Sequence, residues 1–150
     1  MIQEGHKKVE MIGAPMCVRD IMTTTLVNLS PNQSMADAAN LLNRQPFRNY
    51  PIVDAGGNLA GVITDRDILR AYAVKAGWQA HPVSDFMTSK VAFVTEDTPL
   101  SVAAEMMVTQ RINCLPVVND SGSVTGIVTS IDLLKTYRRV QQSIERSAHR

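Results

Sequence analysis

Apolar and polar residues follow one another in stretches that predict several short strands. The stretches 26–30 (LVNLS) and 91–95 (VAFVT) are rich in β-branched and other apolar residues and predict one short strand each. The stretches 50–64 (YPIVDAGGNLAGVIT) and 115–129 (LPVVNDSGSVTGIVT) contain two apolar runs around glycine, asparagine or serine. Each of these longer stretches therefore predicts a strand, a turn and a second strand.

Helices are predicted between and after these strands. Apolar residues at helical spacing follow Ser34, and an equivalent stretch follows Thr98, so both residues are candidate N-caps. Asp37 at the N3 position and Pro99 at the N1 position support these two helix starts. A second helix is expected from Arg66 to about Ala76, closed by Gly77, and its counterpart from Ile131 onward into the C-terminal tail.

The pattern is an internal repeat in which equivalent residues lie 65 positions apart, without insertion or deletion. Asp20 matches Asp85, Pro51 matches Pro116 and Gly61 matches Gly126. Each copy reads β-α-β-β-α, and one copy alone is marginal in size for a stable core. We expect an α/β (mixed α+β) fold in which two repeats pack with approximate twofold symmetry. The expected segments are a flexible start at 1–14, repeat 1 at 15–76, a linker at 77–82, repeat 2 at 83–140 and a helical tail at 141–150.

Composition excludes several classes of protein. The chain has 150 residues, of which 45% are hydrophobic and 19% charged, so it can bury a core. A net charge of +1 gives no electrostatic case for nucleic-acid binding. Two cysteines are too few for a disulfide framework, and the three histidines show no zinc spacing, so no metal site is expected. No signal sequence or membrane-spanning run is evident, which makes a cytoplasmic location the expectation.

The most faithful part of the repeat is GVITDRD, residues 61–67, and GIVTSID, residues 126–132. Thr64 with Asp67, and Thr129 with Asp132, have the spacing of a helix capping box. The same residues could also bind a ligand. A helix N-terminus attracts phosphate, and an acidic residue beside it can accept hydrogen bonds from ribose hydroxyls. Spacing alone leaves both interpretations open.

Glycines and arginines near these motifs could have either structural or ligand-binding roles. Gly61 and Gly126 would permit the close approach of another backbone or a flat ring. The stretch AGGNLAG, residues 55–61, does not match a nucleotide-binding glycine loop and predicts a hairpin turn. Arg48 and Arg66 are either solvated charges or phosphate ligands. Because their counterparts are Asn113 and Ile131, two such sites would bind ligand unequally.

These motifs together resemble the cystathionine-β-synthase (CBS) domain. The resemblance rests on VRDIMTTTLVNLSP, on RNYPIVDAGGNLAGVITDRDIL and on their second-copy partners, and it covers about residues 15–140. It implies a stand-alone CBS pair, or Bateman module, with a cleft between the copies. That cleft would offer up to two sites for adenosyl ligands such as AMP, ADP, ATP or S-adenosylmethionine, with NAD as a further alternative.

The resemblance also implies which residues form these sites. In such a site, the aspartate would bind the ribose, and threonine and arginine would bind phosphate. Small or aliphatic side chains would pack on both faces of the adenine. The first site would use Thr64, Arg66 and Asp67 with Thr88, Ala92 and Asn113, and the second Thr129 and Asp132 with Thr23, Val27 and Arg48. Ile131 departs from the family pattern, which weakens the second site for polyphosphates.

The resemblance implies a regulatory module that senses an adenine nucleotide and passes its occupancy to a partner or an oligomer. No cofactor is required, the family commonly forms homodimers through its helices, and the effector protein is unknown. The alternative is an interaction module in which both capping boxes are only structural. No arrangement of residues supports catalysis, so an enzyme is not expected.

Overall fold

Two hairpins, each flanked by helices, form the molecule. The computed structural model describes residues 15–24 and 27–149, so the expected flexible segment at 1–14 lies outside the described residues. Repeat 1 contains α1 (Met35–Arg44), β1 (Asn49–Val53), β2 (Leu59–Thr64) and α2 (Asp65–Val74). Repeat 2 contains α3 (Leu100–Gln110), β3 (Cys114–Val118), β4 (Val124–Thr129) and α4 (Ser130–Ala148). The mixed α+β fold and its tandem arrangement are confirmed.

The two hairpins have the same register, which shows the internal symmetry directly. Pro51 lies opposite Val62 in β1 and β2, and Pro116 lies opposite Ile127 in β3 and β4. Both hairpins shift register one residue before the end of the first strand. The turns place Gly57 at φ 83° and Gly122 at φ 86°, where glycine is favoured over other residues. The stretch AGGNLAG thus contains the predicted hairpin turn, and its last three residues begin β2.

The stretches 26–30 and 91–95, predicted as strands, each contribute only a single bridge. Leu29 bridges Ile52 and Val94 bridges Val117, in parallel, and Leu26 lies outside the described residues. Each bridge is made by two hydrogen bonds that flank it, from Leu29 N to Pro51 O at 3.2 Å and from Val53 N to Leu29 O at 2.8 Å in repeat 1. The next bond of a longer ladder would need an N–H on Pro51 or Pro116, which proline lacks. The strand prediction was wrong in extent for this reason.

Two predicted helix boundaries also differ. Ser34 caps α1 by accepting a 3.1 Å hydrogen bond from Asp37 N, as expected. In α3, however, Pro99 is the N-cap, and the Thr98 hydroxyl instead accepts a bond from Thr95 N at 3.0 Å. Gly77 does not close α2, whose C-cap is Lys75 in extended conformation. Gly77 adopts φ 72° as the residue that precedes the 3-10 turn Trp78–Ala80.

Two apolar cores lie one in each repeat, and each contains a residue from the start of the other repeat. Val83, at the start of repeat 2, packs in the core of repeat 1 with Met35, Tyr50 and Ile63. Val18, at the start of repeat 1, packs with the repeat 2 core. Both valines are fully buried. We call this reciprocal arrangement the segment exchange.

Backbone hydrogen bonds continue the segment exchange into the sheets. Val62 and Thr88 exchange N–H···O bonds of 3.0 and 2.9 Å, and Thr23 and Ile127 exchange bonds of 2.9 and 3.0 Å. Each hairpin therefore gains an added segment from the other repeat. Within the described part of the chain, no helix is both long and apolar enough to cross a lipid bilayer.

Candidate functional site

The close approach of the two repeats depends on two glycines. A Cβ built on Gly61 would lie 2.6 Å from the Thr88 carbonyl oxygen and 2.9 Å from the Met87 sulfur. A Cβ on Gly126 would lie 2.9 Å from the Thr23 carbonyl oxygen. Real Cβ atoms do not approach a backbone oxygen so closely, so glycine is required at both positions. The group that approaches them is the backbone of the other repeat, one of the two possibilities expected from the sequence.

Both capping boxes form as the spacing predicts. The Asp67 carboxylate accepts hydrogen bonds from Thr64 N at 2.9 Å and from the Thr64 hydroxyl at 3.1 Å, while Asp67 N donates to that hydroxyl at 3.2 Å. The box of Thr129 and Asp132 has nearly the same distances, 2.9, 3.0 and 3.2 Å. The two pairs therefore fix the start of α2 and α4.

The environments of the two aspartates differ. Asp67 is buried, with 4% of its surface exposed, whereas Asp132 is half-buried. The second oxygen of Asp67, Oδ1, accepts a 2.6 Å bond from Arg70 Nη2. The residue 65 positions after Arg70 is Lys135, and it forms no salt bridge with Asp132 among the described residues. An oxygen with two lone pairs can accept a second bond, so Asp67 keeps acceptor capacity for a ligand.

A cavity of about 460 Å³ lies where the two repeats meet, at the start of α2. This volume falls within the range of small-molecule sites. We call this cavity the first cleft. All six residues assigned to the first site by the sequence line it: Thr64, Arg66 and Asp67 from repeat 1, and Thr88, Ala92 and Asn113 from repeat 2.

Elements of both repeats hold these side chains in place. Thr64 and Asp67 are fixed by the capping box at the end of β2, and Thr88 is fixed by its bonds to Val62. Asn113 immediately precedes β3, and its carbonyl oxygen accepts a 2.9 Å bond from Ser130 N. The first three N–H groups of α2 already donate within the protein: Asp65 N to the Arg48 carbonyl oxygen at 3.2 Å, Arg66 N to Asp65 Oδ1 at 2.9 Å and Asp67 N to the Thr64 hydroxyl at 3.2 Å. What the start of α2 offers an anion is therefore the positive end of the helix dipole. The first cleft therefore combines a helix start, a buried carboxylate and apolar walls.

Sequence reasoning missed three basic side chains that line the first cleft. Arg70, Lys90 and Arg111 all contribute to its wall. Arg70 lies three residues after Asp67, so helical spacing could have indicated it. Arg111 adopts the left-handed conformation, φ 55° and ψ 45°, at the end of α3. No local sequence pattern predicts this conformation for an arginine.

The buried wall of the first cleft includes Cys114. Its side chain is 8% exposed, and burial raises the pKa of its thiol to about 12. The thiolate, which is the nucleophilic form, is therefore scarce at neutral pH. Cys114 contributes a small apolar surface to the cleft.

The residues assigned to the second site are not gathered in one cavity. Thr23 and Val27 line a space of about 10 Å³, together with the aromatic side chains of Phe47 and Tyr50. Asp132 lines a separate open depression of about 410 Å³. Residues 25 and 26, which connect Thr23 to Val27, are outside the described part of the chain.

The remaining two residues assigned to the second site, Thr129 and Arg48, line neither of these spaces. Thr129 caps α4. Arg48 lies 3.5 Å from Asp65, measured from Nη1 to Oδ2; the Arg48 side chain is largely exposed and that of Asp65 is about half exposed. The second site thus stays a prediction.

Several proteins of known name are similar to this chain. YhcV of Bacillus subtilis, named a CBS domain-containing protein, is 37% identical over 117 residues, which cover 77% of this chain and 81% of YhcV. A homoserine O-acetyltransferase of Methanocorpusculum labreanum is 32% identical over 77% of this chain, but the match spans only 23% of that enzyme. The chain therefore spans about a quarter of the length of such enzymes.

Solved structures show the same fold with ligands. The CBS domain pair of protein MJ0100, in complex with 5-methylthioadenosine and S-adenosyl-L-methionine, superposes with a TM-score of 0.75 and 34% identity, covering 82% of this chain and 97% of that chain. CBSX2 in complex with AMP superposes with a TM-score of 0.76 and 27% identity, covering 85% and 99%. The family model for the CBS domain matches twice, at residues 18–74 and 83–139. The chain belongs to the CBS domain family and carries two CBS domains in tandem.

Proposed function

We propose that this CBS domain pair is a regulatory module that binds an adenosyl ligand in the first cleft and passes its occupancy to a partner or an oligomer. One observation carries the proposal. Six residues chosen from the sequence, three from each repeat, line a single cavity of about 460 Å³. Because the ligand would touch both repeats, its binding would favour one relative placement of them.

Each part of the first cleft suits one part of an adenosyl ligand. The Asp67 carboxylate would accept hydrogen bonds from the ribose hydroxyls. Thr64 and Arg66 would bind phosphate, and the positive end of the α2 dipole would favour its charge. Ala92 and its apolar neighbours would contact the adenine. Complexes of related CBS pairs with AMP and with S-adenosyl-L-methionine support this class of ligand.

The test is titration calorimetry of ligand-free protein with AMP, ATP, NAD and S-adenosylmethionine. At 100 times its dissociation constant, a ligand stabilises the fold by about 2.7 kcal/mol, which thermal unfolding detects independently. Asp67→Asn should lose most of the affinity for a ligand in the first cleft. Asp132→Asn is the matched control, because it removes an equivalent capping carboxylate outside that cleft. The proposal fails if no adenosyl compound binds at millimolar concentration or better.

A second candidate function, homodimer formation, is favoured by exposed apolar residues on α2 and α4. Leu69 and Tyr72 are 68% and 72% exposed, and their repeat equivalents Leu134 and Tyr137 are 61% and 62% exposed. Apolar surfaces of this kind mark association sites. The equivalence of the two pairs fits a symmetric partner, since a twofold interface uses the same patch on both subunits.

Light scattering after size exclusion measures this association. We expect a dimer for the parent chain and a monomer for Leu69→Asp combined with Leu134→Asp. Phe93→Asp, at a residue 53% exposed and outside both helices, serves as the control and should leave the dimer intact. A monomeric parent chain at high concentration would exclude the homodimer without affecting ligand binding.

A further inference from the structure

Three basic side chains without an acidic partner converge on the first cleft. Arg66, Lys90 and Arg111 line its wall, and none forms a salt bridge with any residue in 15–24 or 27–149. The two acidic residues that line the cleft, Asp65 and Asp67, are already paired with arginines at 3.5 and 2.6 Å. The first cleft therefore carries an uncompensated positive charge.

These three side chains come from three different elements. Arg66 is the second residue of α2, next to the positive end of the helix. Lys90 follows Thr88, whose backbone is fixed by its two bonds to Val62. Arg111 is held at the end of α3 with φ 55°, the one positive φ of a non-glycine residue in the described ranges. The charges are thus spread around the cleft and are not concentrated on one exposed helix face.

The internal repeat offers a control for this observation. The residues equivalent to Arg66, Lys90 and Arg111 are Ile131, Thr25 and Pro46. All three are uncharged, although the capping boxes of the two repeats are nearly superposable in their distances. Packing of the fold therefore does not require basic residues at these positions. The charge belongs to one cleft, where an anion would compensate it.

We propose that the first cleft selects adenosyl ligands that carry a chain of two or more phosphates, such as ADP and ATP. This inference rests on the proposed adenosyl-binding function. A single phosphate monoester carries at most about two negative charges at pH 7, and Arg66 together with the positive end of the α2 dipole can compensate them. Lys90 and Arg111, which line the same cleft, would then remain uncompensated, and a longer phosphate chain would supply the negative charge to pair with them. The sulfonium of S-adenosylmethionine adds a positive charge and would be disfavoured beside these three cations.

Calorimetry at one fixed ionic strength tests the selection, with ATP, ADP, AMP and S-adenosylmethionine as probes. We expect ATP to bind at least about tenfold more tightly than AMP, as one added charge-assisted contact would produce. Lys90→Ala combined with Arg111→Ala should lower ATP affinity by about tenfold or more and AMP affinity by less than about threefold. Lys135→Ala combined with Arg138→Ala removes the same charge from the separate depression near Asp132 and should change neither.

A second measurement uses the parent chain alone. Inorganic tripolyphosphate should displace a fluorescent ATP analogue at lower concentration than orthophosphate does. Equal affinity for AMP and ATP, or tighter binding of S-adenosylmethionine, would overturn the selection and leave the adenosyl-binding function standing. Absence of binding by every adenosyl compound would overturn both, so the two failures are distinct.

Discussion

Replacing Gly61 with alanine tests the contact that joins the two repeats beside the first cleft. The added Cβ would lie 2.6 Å from the Thr88 carbonyl oxygen, a backbone atom that cannot rotate away, and 2.9 Å from the sulfur of Met87. The backbone of β2 and the segment around Thr88 must therefore move apart. That movement strains the two hydrogen bonds between Val62 and Thr88, which are 3.0 and 2.9 Å long.

The magnitude follows from these contacts. Each backbone hydrogen bond contributes a net of about 0.5–1.5 kcal/mol, so weakening both costs about 1–3 kcal/mol. Overpacking of a well-packed site gives the same range, about 1–3 kcal/mol. The lower backbone entropy of alanine in the unfolded chain offsets about 0.4–1 kcal/mol of this. We expect a net loss of about 1.3 kcal/mol, which lowers Tm by about 3–5 °C in a chain of this size.

Urea unfolding followed by circular dichroism measures the loss, and Gly56→Ala is the matched control. A Cβ on Gly56 would approach only the flexible side chains of Asn58 and Asp54, at 3.2 and 3.4 Å. That variant should unfold within about 0.5 kcal/mol of the parent chain. If Gly61→Ala also stays within that range, the two repeats do not need a glycine for their approach, and the account of the shared backbone contact is refuted.

Three further predictions concern the caps, the thiols and the segment exchange. Thr64→Ala and Thr129→Ala should each lower the free energy of unfolding by about 1 kcal/mol in urea titrations, and no loss would show that the capping boxes are dispensable. At pH 8 a thiol reagent should modify half-buried Cys17 in the native protein. It should modify Cys114, whose pKa is raised to about 12, only after denaturation, and equal rates for the two thiols in the native protein would contradict this. Val18→Ala should lower the stability by about 2 kcal/mol and speed hydrogen exchange in α3, whereas Met16→Ala, at a residue 62% exposed, should do neither.

Features that depend on neighbouring residues could be predicted from the sequence. The hairpins and both capping boxes formed where the spacing placed them, because turn and cap chemistry acts over three or four residues. The internal repeat then showed that these local units occur twice and must pack together. The lengths of the stretches 26–30 and 91–95 were overestimated, since the missing N–H of Pro51 and Pro116 matters only once the neighbouring segment is known.

Features that depend on distant residues could not be predicted in the same way. Lys90 and Arg111 reach the first cleft through the pairing of Thr88 with Val62 and through the positive φ at the end of α3. Neither is encoded by a short motif. The burial of Val18 in the core of repeat 2 likewise needs the three-dimensional structure, because the residues around it do not show which repeat it packs against.

The segment exchange has a consequence for how this chain could evolve and for how it can be divided into fragments. A single repeat made alone would lack the valine that completes its core, and only a second copy could supply it. The smallest folding unit is therefore a pair, whether the two copies are separate chains or joined, as here, through residues 77–82. Linking the two repeats keeps each at a fixed, high local concentration relative to the other, and it allows their sequences to diverge. Cutting the chain between the repeats should thus yield two fragments that reassemble with each other and do not fold separately.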